Sequence, residues 1–398
     1  MITPAYSSTA TERVLPRMAL DFTTSVLDPR VTVTRALDTA TRVNSSGYIE
    51  TVNANLPRFD YNPTTLAPKG LLIEEARTNL ILQSSNASQL PWAPAFSGVG
   101  TLAVVTPNAG VSPDGTSNAV RVQLNCVDAT SSSNRSRIQQ IVTLVNGTTY
   151  AKGVWIKAYD ASNVGKTVRV LIEGASGTSV YTLTDQWVRV TPAAAAATGV
   201  VGTFMVETRG TFTTQTADIL MWNATLEAGA FLTSDIITSA ASVTRNADVV
   251  SMTGTNFSDW YNTSEGTFVV NVNQSPASGL AIALDAASDA SNRISLIKAA
   301  TSGYANFFIF NSASLEANIT NANVIGTGKI VGAYKANNCA LSSNGVSPIV
   351  DTSVVLPTPT FLRIGARQDG GSIWCAAIKQ VFYYPQRLTT AEVQAFSK

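Results

Sequence analysis

LPRFDYNPTTLAPKGLLIEEARTNLIL, running from Leu56 to Leu82, sets a cluster of turn signals directly before a dense apolar run, Leu71-Leu72-Ile73. Pro63 and Pro68 fix the backbone on the approach, and Gly70 permits an angle that other residues resist. Lys69, Glu74, Glu75 and Arg77 place four charges on either side of the run in a chain where charge is scarce. The stretch reads as an extended segment that turns sharply and then enters a sheet.

The same text, PRFDY-x-P-x-x-LAP-x-GLLIEEARTNLI, resembles a signature of virion proteins of tailed bacteriophages, where it stands ahead of one or two lectin-like sandwiches. The resemblance implies a setting and not a reaction. It implies a structural component of a phage virion, made in the host cytoplasm and exposed on the particle. The leading expectation is a tail-fibre or receptor-binding protein that presents lectin-like domains to host surface glycans. A capsid decoration or head-fibre protein is the alternative, and a polysaccharide depolymerase is the enzymatic one.

Composition fits a strand-rich protein. Only 13% of the 398 residues are charged, against about 25% in ordinary globular chains. Thr, Ser, Asn and Val take their place, as in sheets joined by polar turns. A net charge of +1 with no long run of either sign gives no handle for nucleic acid or for an anionic membrane surface. The N-terminal text has no basic start followed by an apolar core, so no signal peptide is read. Ala193 to Val206 falls short of the ~18 apolar residues of a membrane span. The expectation is a protein with neither nucleic-acid partner nor membrane insertion.

Three sections follow from the turn spacing. Residues 1–85 hold short strands at Ala19 to Phe22 and Val31 to Arg35, with turns at Asp28-Pro29 and Asn44-Ser45-Ser46-Gly47. Little there builds an independent core, so this docking and assembly section is expected to lean on another domain or subunit. Burial between subunits predicts a homo-oligomer, a trimer, with contacts to other virion proteins through this section. Val33-Thr34-Arg35-Ala36-Leu37-Asp38 is echoed by Val243-Thr244-Arg245-Asn246-Ala247-Asp248, either by chance or because each copy leads a strand into a sandwich.

Residues 86–240 carry strands at regular spacing between turns such as Asn146-Gly147 and Pro113-Asp114-Gly115, the pattern of an antiparallel sandwich. The order is similar to family 4/9 carbohydrate-binding modules, with Tyr150 to Ile156 and Trp222 to Gly229 as matching strands. Residues 241–398 read as a jelly roll similar to concanavalin A-like, laminin G-like domains. The similarity rests on Gly266 to Val272, Leu362 to Arg367, Ile378 to Tyr384 and Arg387-Leu388-Thr389. Thr389 and Glu392 then form a capping box for a short closing helix. The expected class is all-β, two antiparallel β-sandwich or jelly-roll domains preceded by an extended N-terminal section.

Catalytic chemistry finds few residues to work with. The chain has no histidine, which removes the usual general base and the usual zinc ligand. No nucleophile elbow is present, and Asp160 occupies the glycine position that a phosphate loop before Gly165-Lys166-Thr167 requires. Glu74 and Glu75 are adjacent, so on a strand they point to opposite faces and do not converge as a glycosidase pair would. Their expected partners are Arg77 or a neighbouring strand. No catalytic residue, metal or cofactor is expected. Asp285 and Asp289 lie where laminin G-like domains sometimes hold calcium, but a solvated loop is the plainer reading. Cys126, Cys339 and Cys375 read as buried free thiols, with a Cys339–Cys375 disulfide left open.

Aromatic faces that stack on sugar rings are the remaining candidates. Trp155, Trp187 and Trp222 sit within apolar strands and read as core. Trp260-Tyr261 and Trp374 lie beside turn residues and are the better candidates for an exposed platform, with Tyr304 and Tyr334 as further candidates, while packing or interface roles are the plainer reading.

Overall fold

The computed structural model describes residues 15–276, 279–285, 291–299, 302–324 and 326–398. Almost every described element is a strand, and every pairing is antiparallel.

The first sandwich faces two sheets. One orders Val188–Val190, Thr149–Ala158, Thr216–Ala228, Ala119–Asn125 and Val104–Gly110, with Ala195–Ala196 also on Thr149–Ala158. The other orders Ala175–Thr182, Thr167–Glu173, Val201–Arg209, Arg135–Thr143 and Ala93–Ser97. Arg135–Thr143, RSRIQQIVT, shows why this text makes a strand: Ser136, Ile138, Gln140 and Val142 are buried while their neighbours are not, the period of two that a half-buried strand requires. Val122, Val154, Ile156, Val170, Phe204 and Ile219 meet between the sheets.

The second sandwich is larger and draws on both ends of the chain. Its eight-stranded sheet orders Ile349–Asp351, Cys339–Ser343, Gly328–Lys335, Glu265–Val272, Ala376–Tyr384, Pro68–Ile73 and Phe59–Tyr61, with Met18–Asp21 also on Ala376–Tyr384. Its seven-stranded sheet orders Thr32–Thr34, Val249–Thr253, Phe361–Ile364, Gly279–Asp285, Arg293–Lys298, Tyr304–Asn311 and Ser314–Val324. The closing helix Thr390–Phe396 starts at the Thr389–Glu392 capping box and packs Val393 against Val331 and Tyr384.

The N-terminal section is extended as read, and its docking is internal. Met18, Leu20, Phe22, Val33, Phe59, Leu71 and Ile73 all enter the core of the second sandwich. Gly70 lies within the strand Pro68–Ile73, past the expected turn, at φ +103 where a Cβ would fall 2.3 Å from the Ile378 carbonyl oxygen, so the close approach of the neighbouring strand demands glycine. Of the two expected supports, another domain or another subunit, the structure shows the first: the section packs on the second sandwich of the same chain.

A buried ionic cluster ties the section to the segment between the sandwiches. Arg35 Nη1 donates to Asp248 Oδ1 at 2.9 Å and Arg58 Nη1 to Glu74 Oε2 at 2.7 Å. Arg58 also reaches Asp248, and Arg245 Nη1 lies 2.9 Å from Glu74 Oε2. Ser234 donates to Glu74 through both its N–H and its hydroxyl, each at 2.7 Å. The two echoed Val-Thr-Arg segments thus supply Arg35 and Arg245 to one cluster. Burial works against the Glu74 carboxylate, but Arg245, Arg58 and the Ser234 hydrogen bond outweigh it and hold the group down at about 2.

Candidate functional site

A cavity of about 440 Å³ opens where the N-terminal section meets the first sandwich, lined by three aromatic rings, Tyr48, Trp155 and Trp187. The hairpin Ala40–Val43 to Ile49–Val52 brings Tyr48 there. Asn44 Oδ1 accepts from the N–H groups of Ser46 and Tyr48, both at 3.0 Å, which shapes the hairpin turn. The Ile49 N–H donates to the Pro113 carbonyl at 2.9 Å and seats the hairpin on the sandwich. A Cβ on Gly115 would stand 3.1 Å from the Tyr48 ring, so the bare backbone lets the ring lie close.

Trp155 comes from the long strand Thr149–Ala158, and Trp187 from the residue before Val188–Val190. Both indole N–H groups are engaged by protein. Trp187 Nε1 donates to the Val111 carbonyl at 3.0 Å and Trp155 Nε1 to Asp235 Oδ1 at 3.1 Å. Lys157 Nζ stands 5.9 Å from the Trp187 ring centroid, a cation–π contact that holds the ring further. The edges of the rings are tethered and the groove is left with faces. Tyr48 stays 47% exposed.

No lining residue carries a charge. Ser46, Thr64, Gln186 and the Tyr48 hydroxyl supply the polar groups, and the Gln186 carboxamide and Tyr48 hydroxyl hold no hydrogen bond to any described residue. Rigid aromatic faces with a few uncharged hydrogen-bonding groups suit a ligand that has apolar ring faces and hydroxyl edges.

The expected platform lies elsewhere and is mostly core. Trp260 is 2% exposed, crosses Phe257 at 5.1 Å and Tyr383 at 4.9 Å, and donates to the Asn256 carbonyl at 2.8 Å. Trp374 is fully buried with its Nε1 on the Asn273 carbonyl at 3.2 Å. Tyr334 is fully buried with its hydroxyl on the Asn262 carbonyl at 2.7 Å, and Tyr261 stacks on Phe257 at 4.8 Å. Tyr304 is half-buried at the start of its strand. The expected exposure of Trp260, Tyr261 and Trp374 is therefore corrected. Their polar neighbours serve the backbone turns, while the rings insert between the sheets. Trp155 and Trp187, read as core, are the half-buried rings of the groove, whereas Trp222 is core. Trp155-Ile156-Lys157-Ala158 held the missed signal, because alternation puts Trp155 on the face of Lys157.

The two adjacent acids are both engaged by arginine. Glu74 belongs to the buried cluster, and Glu75 Oε1 accepts from Arg77 Nε at 2.8 Å. Cys126, Cys339 and Cys375 are buried free thiols, and burial raises Cys339 to about 11 and Cys375 to about 12. Among the described residues no group of three or more His, Cys, Asp or Glu is placed to hold a metal, and no helix is long and apolar enough to cross a membrane. Asp289 lies outside the described residues.

Fold and groove together define an all-β protein of antiparallel sandwiches with an aromatic-lined cleft. No family model and no curated protein matches the chain. Among solved structures, it is similar to a pentraxin from Limulus polyphemus at 17% identity, over 34% of this chain and 70% of that one, with a TM-score of 0.27. Domains LG4-5 of the mouse laminin alpha1 chain match at 11% identity over 65% of this chain and 86% of that one, with a TM-score of 0.24. Trypanosoma rangeli sialidase in complex with the inhibitor DANA matches at 12% identity over 38% of this chain and 26% of that one, with a TM-score of 0.27. Likenesses this weak carry no function across.

Proposed function

We propose that the chain is a glycan-binding attachment protein of a phage particle, of the tail-fibre or receptor-binding type, and that it works without transforming its ligand. The groove carries the reading. Tyr48, Trp155 and Trp187 converge on an uncharged cavity, with the two indole N–H groups tethered to protein and the Tyr48 hydroxyl left open. Sugar rings offer apolar C–H faces to such surfaces and hydroxyl groups to a carboxamide such as Gln186. The virion setting is supported by the Leu56 to Leu82 text alone, and it makes other virion proteins and host surface glycans the proposed partners.

The test is a glycan array probed with the full chain and with Trp187→Ala, followed by adsorption to cells that display the sugars bound. Binding that Trp187→Ala removes supports the reading. An array with no signal, combined with imaging that places the labelled protein on the capsid, returns the decoration role instead. Release of reducing ends from a bound polysaccharide would sink the non-enzymatic claim.

A further inference from the structure

The seven-stranded sheet sends Leu284, Ile294, Ile309 and Leu362 into the core, so the residues between them face the other side. Cross-strand register arranges these in two rows. One runs Phe361, Asp285, Arg293, Phe310, and the next Arg363, Ala283, Ser295, Phe308. The second row has only Ala283 and Ser295 between two long side chains, a dip in side-chain length that the neighbouring side chains cover, since Ala283 is 0% and Ser295 1% exposed.

Two guanidinium groups flank the dip, and neither has an ion pair or hydrogen bond with any described residue. Arg293 is 9% exposed, and its Cζ lies 4.7 Å from the Phe310 ring centroid. Arg363 is half-buried, with its Cζ 5.8 Å from the Phe361 centroid. Among the described residues both Nε atoms are buried without a partner, as are Ser295 Oγ and Asp285 Oδ1. Asp285 Oδ2 accepts from the Gln368 N–H at 3.2 Å, so the Asp285 carboxyl answers neither arginine with a hydrogen bond. Arg367 stands near but is held in a fork by Asp369, at 2.7 and 2.5 Å. One strand separates Arg363 from Arg293, and they lie two residues apart along the strands, about 12 Å in all, a gap that two arginine side chains can close from either side.

Buried guanidinium donors without acceptors are costly, and their planar fork matches an oxyanion better than any neutral group. We propose that this face is an oxyanion-binding site in which Arg293 and Arg363 grip the carboxylate or sulfate of an acidic saccharide. The saccharide rests on the glycan-binding reading given above, while the oxyanion grip stands without it. Half-buried Phe308 and Phe310, with ring centroids 6.2 Å apart, would contact the sugar ring that carries the anion.

Calorimetric titration of the full chain with glucuronate, inorganic sulfate and glucose tests this. Glucuronate and sulfate should bind saturably and glucose should not at this face. Tighter binding of glucuronate than of sulfate assigns the contacts to a sugar acid, and the reverse order to a sulfate group. Arg363→Met, at a half-buried position, should weaken both anions at least about tenfold, the worth of one charge-assisted hydrogen bond. Asp285→Asn removes the carboxyl whose charge acts on both arginines, leaving Asp369 near Arg293, and should tighten binding. Saturable binding that is unchanged in Arg363→Met and untouched by Asp285→Asn would overturn the proposal, as would the absence of saturable anion binding to the wild-type chain. Neutral oligosaccharides that fail to bind while glucuronate still titrates would sink the groove reading and leave this one standing.

Discussion

Replacing Glu74 with glutamine tests the ionic cluster that holds the N-terminal section in place. Glu74 lies between Arg58 and Arg245, is 5% exposed, and has its carboxyl held at about 2 against an ordinary 4.5. That depression corresponds to about 3 kcal/mol of folding free energy. The folded value is the lower one, so the contribution is complete above pH 4.5 and is lost as pH falls from there through about 2. Glu74→Gln keeps the size, removes the charge, and leaves Arg35, Arg58 and Arg245 with Asp248 as their one remaining carboxylate in the cluster. Breaking a buried pair in this way costs about 3–5 kcal/mol. Urea unfolding of the two proteins, followed by tryptophan fluorescence between pH 7 and pH 2.5, is the assay. The variant should be less stable by that amount at pH 7, and the gap should shrink as the pH falls below 4.5. A variant within about 1 kcal/mol of wild type at pH 7, or a gap that is constant with pH, would refute the reasoning.

Three further outcomes follow from the packing. Trp260→Ala should lower stability by about 3–5 kcal/mol, as large-to-small core changes do, and leave glycan affinity at the groove unchanged, since Trp260 packs on Phe257 and Tyr383. Gly70→Ala should cost ~2 kcal/mol or more in denaturant unfolding, because φ is +103 and the new methyl would meet the Ile378 carbonyl. Cys126, Cys339 and Cys375 should resist a thiol reagent in the folded protein at pH 8 and all react in denaturant, since each is buried with its thiol raised. Rapid labelling of Cys339 or Cys375 in the native state would contradict their placement.

Much of the fold was legible because it is written locally. Alternation is written into Arg135–Thr143, and Asn146-Gly147 marks the turn to Thr149–Ala158, with Gly147 at φ +80. The Thr389–Glu392 capping box needed only three residues of text. What stayed hidden depends on residues far apart in the chain. Arg35 meets Asp248 across a separation of 213 positions, and nothing near either one announces the other. The weaving of Met18–Asp21 onto Ala376–Tyr384 is hidden for the same reason. The tryptophans misled because composition around a ring describes its backbone neighbours. Trp374 stands among glycine and serine yet inserts between the sheets, and Trp155 sits in an apolar strand yet faces the groove. Tyr48 offered no signal beyond its place after a turn, because the groove exists only once the hairpin docks on Pro113.

The central claim is that Tyr48, Trp155 and Trp187 form a sugar-binding face. Titrating a host-surface oligosaccharide chosen from the array into the wild-type chain and into Trp187→Ala, with heat and tryptophan fluorescence read together, tests it most directly. Wild type should bind saturably with a shift in tryptophan emission, and the variant should lose at least tenfold in affinity, as for a central aromatic anchor. Equal affinity in the two proteins, with no change in emission on binding, would contradict it.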